Sequence, residues 1–156
     1  IKRRLRLLQN EKNIPCAQYI MRNPLTDSHQ KWFRYRLATS SLFLNKSHVD
    51  PKKRGCHWCG EVEETSFHFF YLCHRMIPVI KAVDDIILEE FGVPLTPTDW
   101  LVSTSPTYEE AYEIEHLIST VQRALYASRT CGGGLPVGLQ DLVRRSLEIL
   151  RSIPRD

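Results

Sequence analysis

With 156 residues, 21 Lys and Arg against 18 Asp and Glu, and a net charge of +3, the chain is long enough for one domain with a modest core, or for a helical domain carrying a small metal module. Its apolar runs all fall short of the roughly 20 residues of a membrane span, and its start, IKRRLRLLQNEKN, lacks the apolar region and cleavage site of a secretory signal. The small net charge hides a polarity: residues 1–60 hold thirteen Lys and Arg against three Asp and Glu, residues 61–128 three against twelve, and residues 129–156 five against three.

That asymmetry points to a basic surface that meets a polyanion, backed by an acidic region. The plainer reading is two solvated faces of a helical protein that neutralise each other on folding. Ile1 rather than Met stands first, which reads as a piece of a longer protein.

Residues 2–12 read as an amphipathic helix, with Leu5 and Leu8 on one face and Arg3, Arg4 and Arg6 elsewhere. Pro15 and Pro24 punctuate the next stretch. Asp27 or Ser28 can cap a second helix, SHQKWFRYRLATSS, on which Trp32, Tyr35 and Leu37 form an apolar stripe. Lys31, Arg34 and Arg36 are interleaved with its aromatics. One reading is a nucleic-acid platform, with cations on phosphates and Trp32 or Tyr35 stacked on bases. The other places the aromatics in the core and the bases on the wet face. The run Lys52-Lys53-Arg54 is the next candidate for phosphate contact.

Residues 51–60 are a turn-rich entry to the most informative segment, GCHWCGEVEETSFHFFYLC. Cys56, Cys59, His68 and Cys73 are spaced Cys-x2-Cys-x8-His-x4-Cys. Three soft thiolates and one imidazole are what a closed, tetrahedral structural Zn2+ site takes. Gly60 follows the second cysteine, where a tight turn needs an unhindered residue. His57 and His74 adjoin ligand cysteines, but adjacent side chains diverge. Four protein ligands leave no open position for water, so the metal is expected to hold the fold rather than to catalyse. Glu61, Glu63 and Glu64 read as a solvated acidic loop.

Thr65 can cap a helix that begins near Ser66. On an ideal helix His68 and Cys73 stand about 140° out of register, so the backbone must break or turn between them, or His68 must sit on the turn entering a helix that holds Cys73. Phe67, Phe69, Phe70 and Tyr71 read as core. Met76 to Phe91 is helical in pattern and Gly92 can end it. Pro94, Pro97 and Pro106 mark a long loop around Trp100. A helix over Thr107–Ser128 carries Tyr112, Leu117, Val121 and Leu125, with Glu109, Glu110, Glu113 and Glu115 suiting its first half. CGGGLP reads as a hinge before a last helix, Gly138–Ile153. Cys16 and Cys131 are left as reduced, structural thiols, and a reducing compartment, nucleus and cytoplasm, fits the cysteine usage.

The fold class is therefore mostly α: a helical domain with a small Cys-Cys-His-Cys zinc knuckle and one short hairpin at the metal. A basic helical segment (1–50), the knuckle (51–75) and a C-terminal helical segment (76–156) are expected to form one unit.

The stretches WFRYRLATSSLFLNK, CHWCGEVEETSFHFFYLC, PLTPTDWLVS and VQRALYASR together resemble the C-terminal segment of a non-LTR (LINE-type) retrotransposon reverse transcriptase, over most of residues 30–150. The resemblance implies zinc on Cys56, Cys59, His68 and Cys73. It also implies a parent polyprotein with an RNA-directed DNA polymerase, and a role in holding template RNA or target DNA during target-primed reverse transcription. The acidic middle departs from a uniformly basic surface. The polymerase itself is not expected here. AVDDI at 82–86 lacks an aromatic first residue and sits in a helical pattern, so Asp84 and Asp85 read as solvent-facing.

Two functions stay open. One is a non-catalytic nucleic-acid-binding zinc domain that contacts RNA or DNA through Lys31, Trp32, Arg34, Arg36, Lys52, Lys53 and Arg54, with no membrane and no small-molecule substrate. The other is a zinc-stapled helical protein-interaction module, co-opted by a host.

Overall fold

A computed structural model describes residues 15–154. Among the described residues six α-helices run in chain order: α1 (Pro15–Arg22), α2 (Ser28–Ala38), α3 (Ile77–Phe91), α4 (Pro97–Leu101), α5 (Ala111–Thr130) and α6 (Leu139–Ser152). Among the described residues there is no strand, and the one β-bridge joins Gly55 to Glu63. The mostly α expectation holds, and the helix read over residues 2–12 lies outside the described residues.

α5 is the central helix, packed by α2 and by α6; α1 leans on α2, and α3 on α6. Ile114, Leu117, Ile118, Val121 and Leu125, spaced three and four apart, are fully buried on it. Each such aliphatic side chain contributes about 2 kcal/mol by leaving water. One continuous cluster of buried apolar residues runs from Phe33 through Phe69, Phe70 and Ile87 to Leu150. Cys56, Cys73 and Met76 belong to it, so the cysteine-rich segment shares its core with the helices.

α2 starts at a capping box. The Asp27 carboxylate accepts from the Gln30 amide at 2.7 Å, and the Gln30 side-chain oxygen accepts from the Asp27 amide at 3.1 Å. The stripe expected on this helix is misphased. Its inward face is Gln30, Phe33, Arg34 and Leu37, while Trp32 is 54% exposed and Tyr35 half-buried. The helix ends in a Schellman motif, with the Ser41 amide on the Arg36 carbonyl (2.8 Å) and the Ser40 amide on the Leu37 carbonyl (3.1 Å). Ser40 takes the left-handed position, φ 56°, usually given to glycine.

Trp100 does not sit in an open loop. Thr96 and Asp99 form a second capping box and Pro97 occupies the first turn, where its missing N–H costs nothing, so the prolines open a short helix instead of breaking one. The Trp100 indole N–H donates to the Phe70 carbonyl, tying α4 to the cysteine-rich segment. Asp84 is half-buried rather than solvent-facing: it accepts from the Leu95 amide at 2.8 Å and fixes the turn after α3. Asp85 is exposed and paired with Lys81. α5 begins at Ala111, so Glu109 and Glu110 precede it. Cys131 is exposed, not a buried structural thiol.

Candidate metal centre and basic face

Cys56, Cys59, His68 and Cys73 bring one ligand atom each to within 4.8 Å of all the others. Cys56 Sγ and Cys73 Sγ are 4.0 Å apart, and Cys59 Sγ lies 3.3 Å from His68 Nε2. A tetrahedral ion with ordinary Zn–S and Zn–N bond lengths needs separations of about 3.8 and about 3.6 Å. The cluster could therefore hold a metal ion with small adjustments. His57 turns away to meet the Gly133 carbonyl at 2.8 Å, and His74 is exposed.

The local backbone serves the sulfurs. Cys56 and Cys59 flank a tight turn closed by the Gly60 amide on the Cys56 carbonyl (2.9 Å), and Gly60 adopts φ 69°, as the spacing anticipates. The Cys56 amide donates to Val62 (2.7 Å) and the Glu64 amide to Arg54 (2.8 Å), a minimal hairpin around the turn. Burial pushes the Cys56 thiol up to about 12, and backbone N–H groups of Cys59 and Trp58 pull the other way. Burial also raises Cys73, opposed by the Arg75 N–H. At Cys59 burial works upward too, but the N–H groups of Glu61 and Val62 together with the Cys56 and Cys73 side chains outweigh it and the pKa falls. Amides aimed at sulfur stabilise thiolates, the form that binds metal.

His68 and Cys73 come together through a π-helical turn, His68–Leu72, closed by the Cys73 amide on the His68 carbonyl at 2.7 Å. Its i→i+5 pattern widens the turn, so residues five apart face the same way. Thr65 caps this stretch as expected, its Oγ1 accepting from the His68 amide at 3.0 Å. Burial lowers the His68 pKa, which keeps the imidazole neutral and able to bind a metal.

Glu64 is a residue that sequence reasoning placed wrongly. Glu61 and Glu63 are exposed, but Glu64 is fully buried. Its carboxylate accepts from the His57 amide (2.7 Å), the Asn45 amide (2.9 Å) and Arg129 Nε (2.9 Å), and Arg129 Nη2 also pairs with it. One buried carboxylate thus ties the Cys56–Cys59 turn to the end of α5.

The basic candidates separate into two groups. Lys52, Lys53 and Arg36 are exposed, Lys31 is half-buried and Trp32 presents its ring. Arg34 is corrected: it is 1% exposed, its Nε on both Glu115 oxygens (2.8 and 2.9 Å), and no phosphate can reach it. Arg54 is half-buried, with Nε spent on the His48 carbonyl at 2.9 Å. Beside Trp32 lies an open groove of ≈ 650 Å³ whose walls include Arg36, Phe43, Arg123 and Tyr126. Phe43, Arg123 and Tyr126 were not among the basic and aromatic candidates singled out in the sequence, since they come from a turn and from the second half of a helix whose first half reads as acidic.

No known family model matches the chain, and no curated protein or solved structure matches it significantly. No helix among the described residues is long and apolar enough to cross a membrane.

Proposed function

We propose that this chain is a non-catalytic zinc domain that binds nucleic acid, and that its parent is a retrotransposon reverse transcriptase in which it holds template RNA or target DNA. The observation that carries the reading is the closed donor set: three cysteines and one histidine converge, and the turn that enters them exposes Lys52 and Lys53. Three thiolates and one imidazole leave a bound Zn2+ no open position and little Lewis acidity, so the metal staples the fold. The partner is bound by phosphate contacts, which release counterions.

Elemental analysis of protein purified without chelator should give about one Zn2+ per chain, and Cys59→Ser should lose it together with the local fold. Binding of a mixed-sequence RNA or DNA should weaken steeply with salt, and Lys52→Ala with Lys53→Ala should lower the logarithmic slope by roughly two. Absence of zinc, or no binding at low salt, rejects the reading.

One feature favours the interaction-module alternative. A mainly apolar groove of ≈ 290 Å³ between α3 and α6 is lined by Val79, Ala82, Leu139 and Val143, and Ile77 on α3 and Ile149 on α6 are exposed. Salt-insensitive capture of a protein partner, without nucleic-acid binding, would select it.

A further inference from the structure

We infer that the groove beside Trp32 is a binding site for an unpaired nucleobase with its flanking phosphates, so that the domain takes single-stranded rather than duplex nucleic acid. This rests on the nucleic-acid reading above and assigns its contact surface.

The groove is built from three parts of the chain. α2 supplies His29, Trp32 and Arg36; the Ser41–Phe43 turn supplies Phe43; α5 supplies Arg123 and Tyr126. The Schellman turn at Ser40 brings Phe43 back toward α5, where the Tyr126 hydroxyl donates to the Phe43 carbonyl at 2.7 Å. Phe43 is held there 62% exposed. Trp32 is braced by Tyr35, edge to face at 5.7 Å and 90°. The floor is Phe33, whose ring lies 5.6 Å from that of Tyr126.

Trp32 and Phe43 each leave more than half of their surface in water. Beside them stand two guanidinium groups, Arg36 exposed and Arg123 half-exposed. Among the described residues, the carboxylate paired with them is Asp27, 3.8 Å from Arg123 and itself exposed, which leaves the groove positive. Flat π faces next to fixed cations match an unstacked base next to its phosphates. A duplex offers no base face, because its bases are stacked on one another.

The inference separates from the general reading in one set of titrations. The probes are a labelled oligouridylate and an oligodeoxythymidylate of about ten nucleotides, the same backbone without bases, a blunt duplex and polyglutamate. The parent should bind both base-bearing strands about five- to a hundredfold more tightly than the abasic strand, the equivalent of one to two stacked bases. Trp32→Ala should remove that advantage and leave abasic binding unchanged, and circular dichroism should show its fold intact. Trp100 is buried and Trp58 half-buried, so strand binding should quench the emission of Trp32, and Trp32→Phe should abolish the quench. Arg36→Ala and Arg123→Ala should each lower the salt slope by roughly one. The uridylate–thymidylate ratio tells RNA from DNA.

Equal binding of base-bearing and abasic strands, or of duplex and single strand, overturns the groove assignment while the nucleic-acid reading stands. Tighter binding of polyglutamate than of any strand makes the groove a site for an acidic peptide and overturns it as well. If the parent binds no strand at all, both readings fall together.

Discussion

The amide of Cys73 donates to the carbonyl of His68, five residues back, at 2.7 Å. That one hydrogen bond puts two ligands on the same side of a turn which, as ordinary α-helix, would hold them apart. The wider turn also lets Phe69 and Phe70 enter the core, each fully buried, while Tyr71 and Leu72 lean outward. Packing and ligand placement thus depend on the same backbone register.

Changing that register should change metal content in a way that spacing alone predicts. One Ala inserted after Leu72 puts His68 and the cysteine six apart, and bound metal should fall from about one equivalent toward none. Deleting Leu72 puts them four apart, about 40° out of register on an α-helix, and metal should be retained more weakly. Atomic absorption on the purified variants reads both. A full equivalent in the insertion variant would show that the π turn does not set the site.

Glu64→Gln keeps the shape of the side chain and removes the charge that Arg129 balances. The His57 amide between the first two cysteines then loses a charged acceptor. Metal affinity should fall about 10- to 100-fold, as it does when groups that orient ligands are lost. Competition with a chromophoric chelator measures it. Glu63→Gln, at an exposed position, should leave affinity unchanged, and equal effects of the two would refute the role given to Glu64.

The metal cluster was legible because ligand chemistry restricts residue type and spacing, and no tertiary information is needed to see three cysteines and a histidine. α2, α3, α5 and α6 were legible for a similar reason: capping at Asp27 and the stop at Gly92 are local; α1 was not, because Pro15 and Pro24 read only as punctuation. Arg34 and Glu64 were not. Each lies in a run of like residues that is solvated elsewhere, and the partners, Glu115 and Arg129, are 81 and 65 residues away. The signal present for Arg34 was its register, one turn from Gln30 and Leu37 on the inward face, and the louder aromatics of Trp32 and Tyr35 obscured it. The helix at Trp100 is hidden in the sequence because three prolines suggest breakers, although Pro97 stands where a helix tolerates one.

His116 supplies a pH prediction. Burial lowers its pKa below the ordinary 6.5, against the opposing pull of Asp27 and the Leu25 backbone. The unfolded chain therefore binds the proton more readily than the folded one. The stability contribution is fully present above pH 6.5 and declines as pH falls through the window below it. Acid also strips metal from thiolates, so the test is a difference. Between about pH 5.5 and about pH 7.5 the urea midpoint of the parent should rise more than that of His116→Gln. Parallel curves would count against it.

Arg34 gives the sharpest contrast between a surface reading of the sequence and the folded molecule. Besides Glu115, its guanidinium donates to the carbonyls of Trp100 (Nη1, 2.7 Å) and Asp99 (Nη2, 2.7 Å) and to Gln122 Oε1 (Nη1, 2.9 Å). Burial raises the Glu115 carboxyl pKa and Arg34 offsets part of that rise, so the pair depends on both members. Arg34→Met should cost about 3–5 kcal/mol, because it leaves a buried carboxylate without its cation. Arg34→Lys should recover little, since an ammonium cannot fork between Glu115 and two carbonyls. Arg34→Met with Glu115→Met should recover much of the loss by removing the stranded charge, though the Asp99 carbonyl and Gln122 Oε1 still want donors, while the Trp100 carbonyl keeps Gln122 Nε2 at 2.6 Å. Urea midpoints with an unchanged m-value decide the series. If Arg34→Met keeps the parent's midpoint and instead lowers the salt slope for nucleic acid, Arg34 is a phosphate contact and the buried pair is wrong.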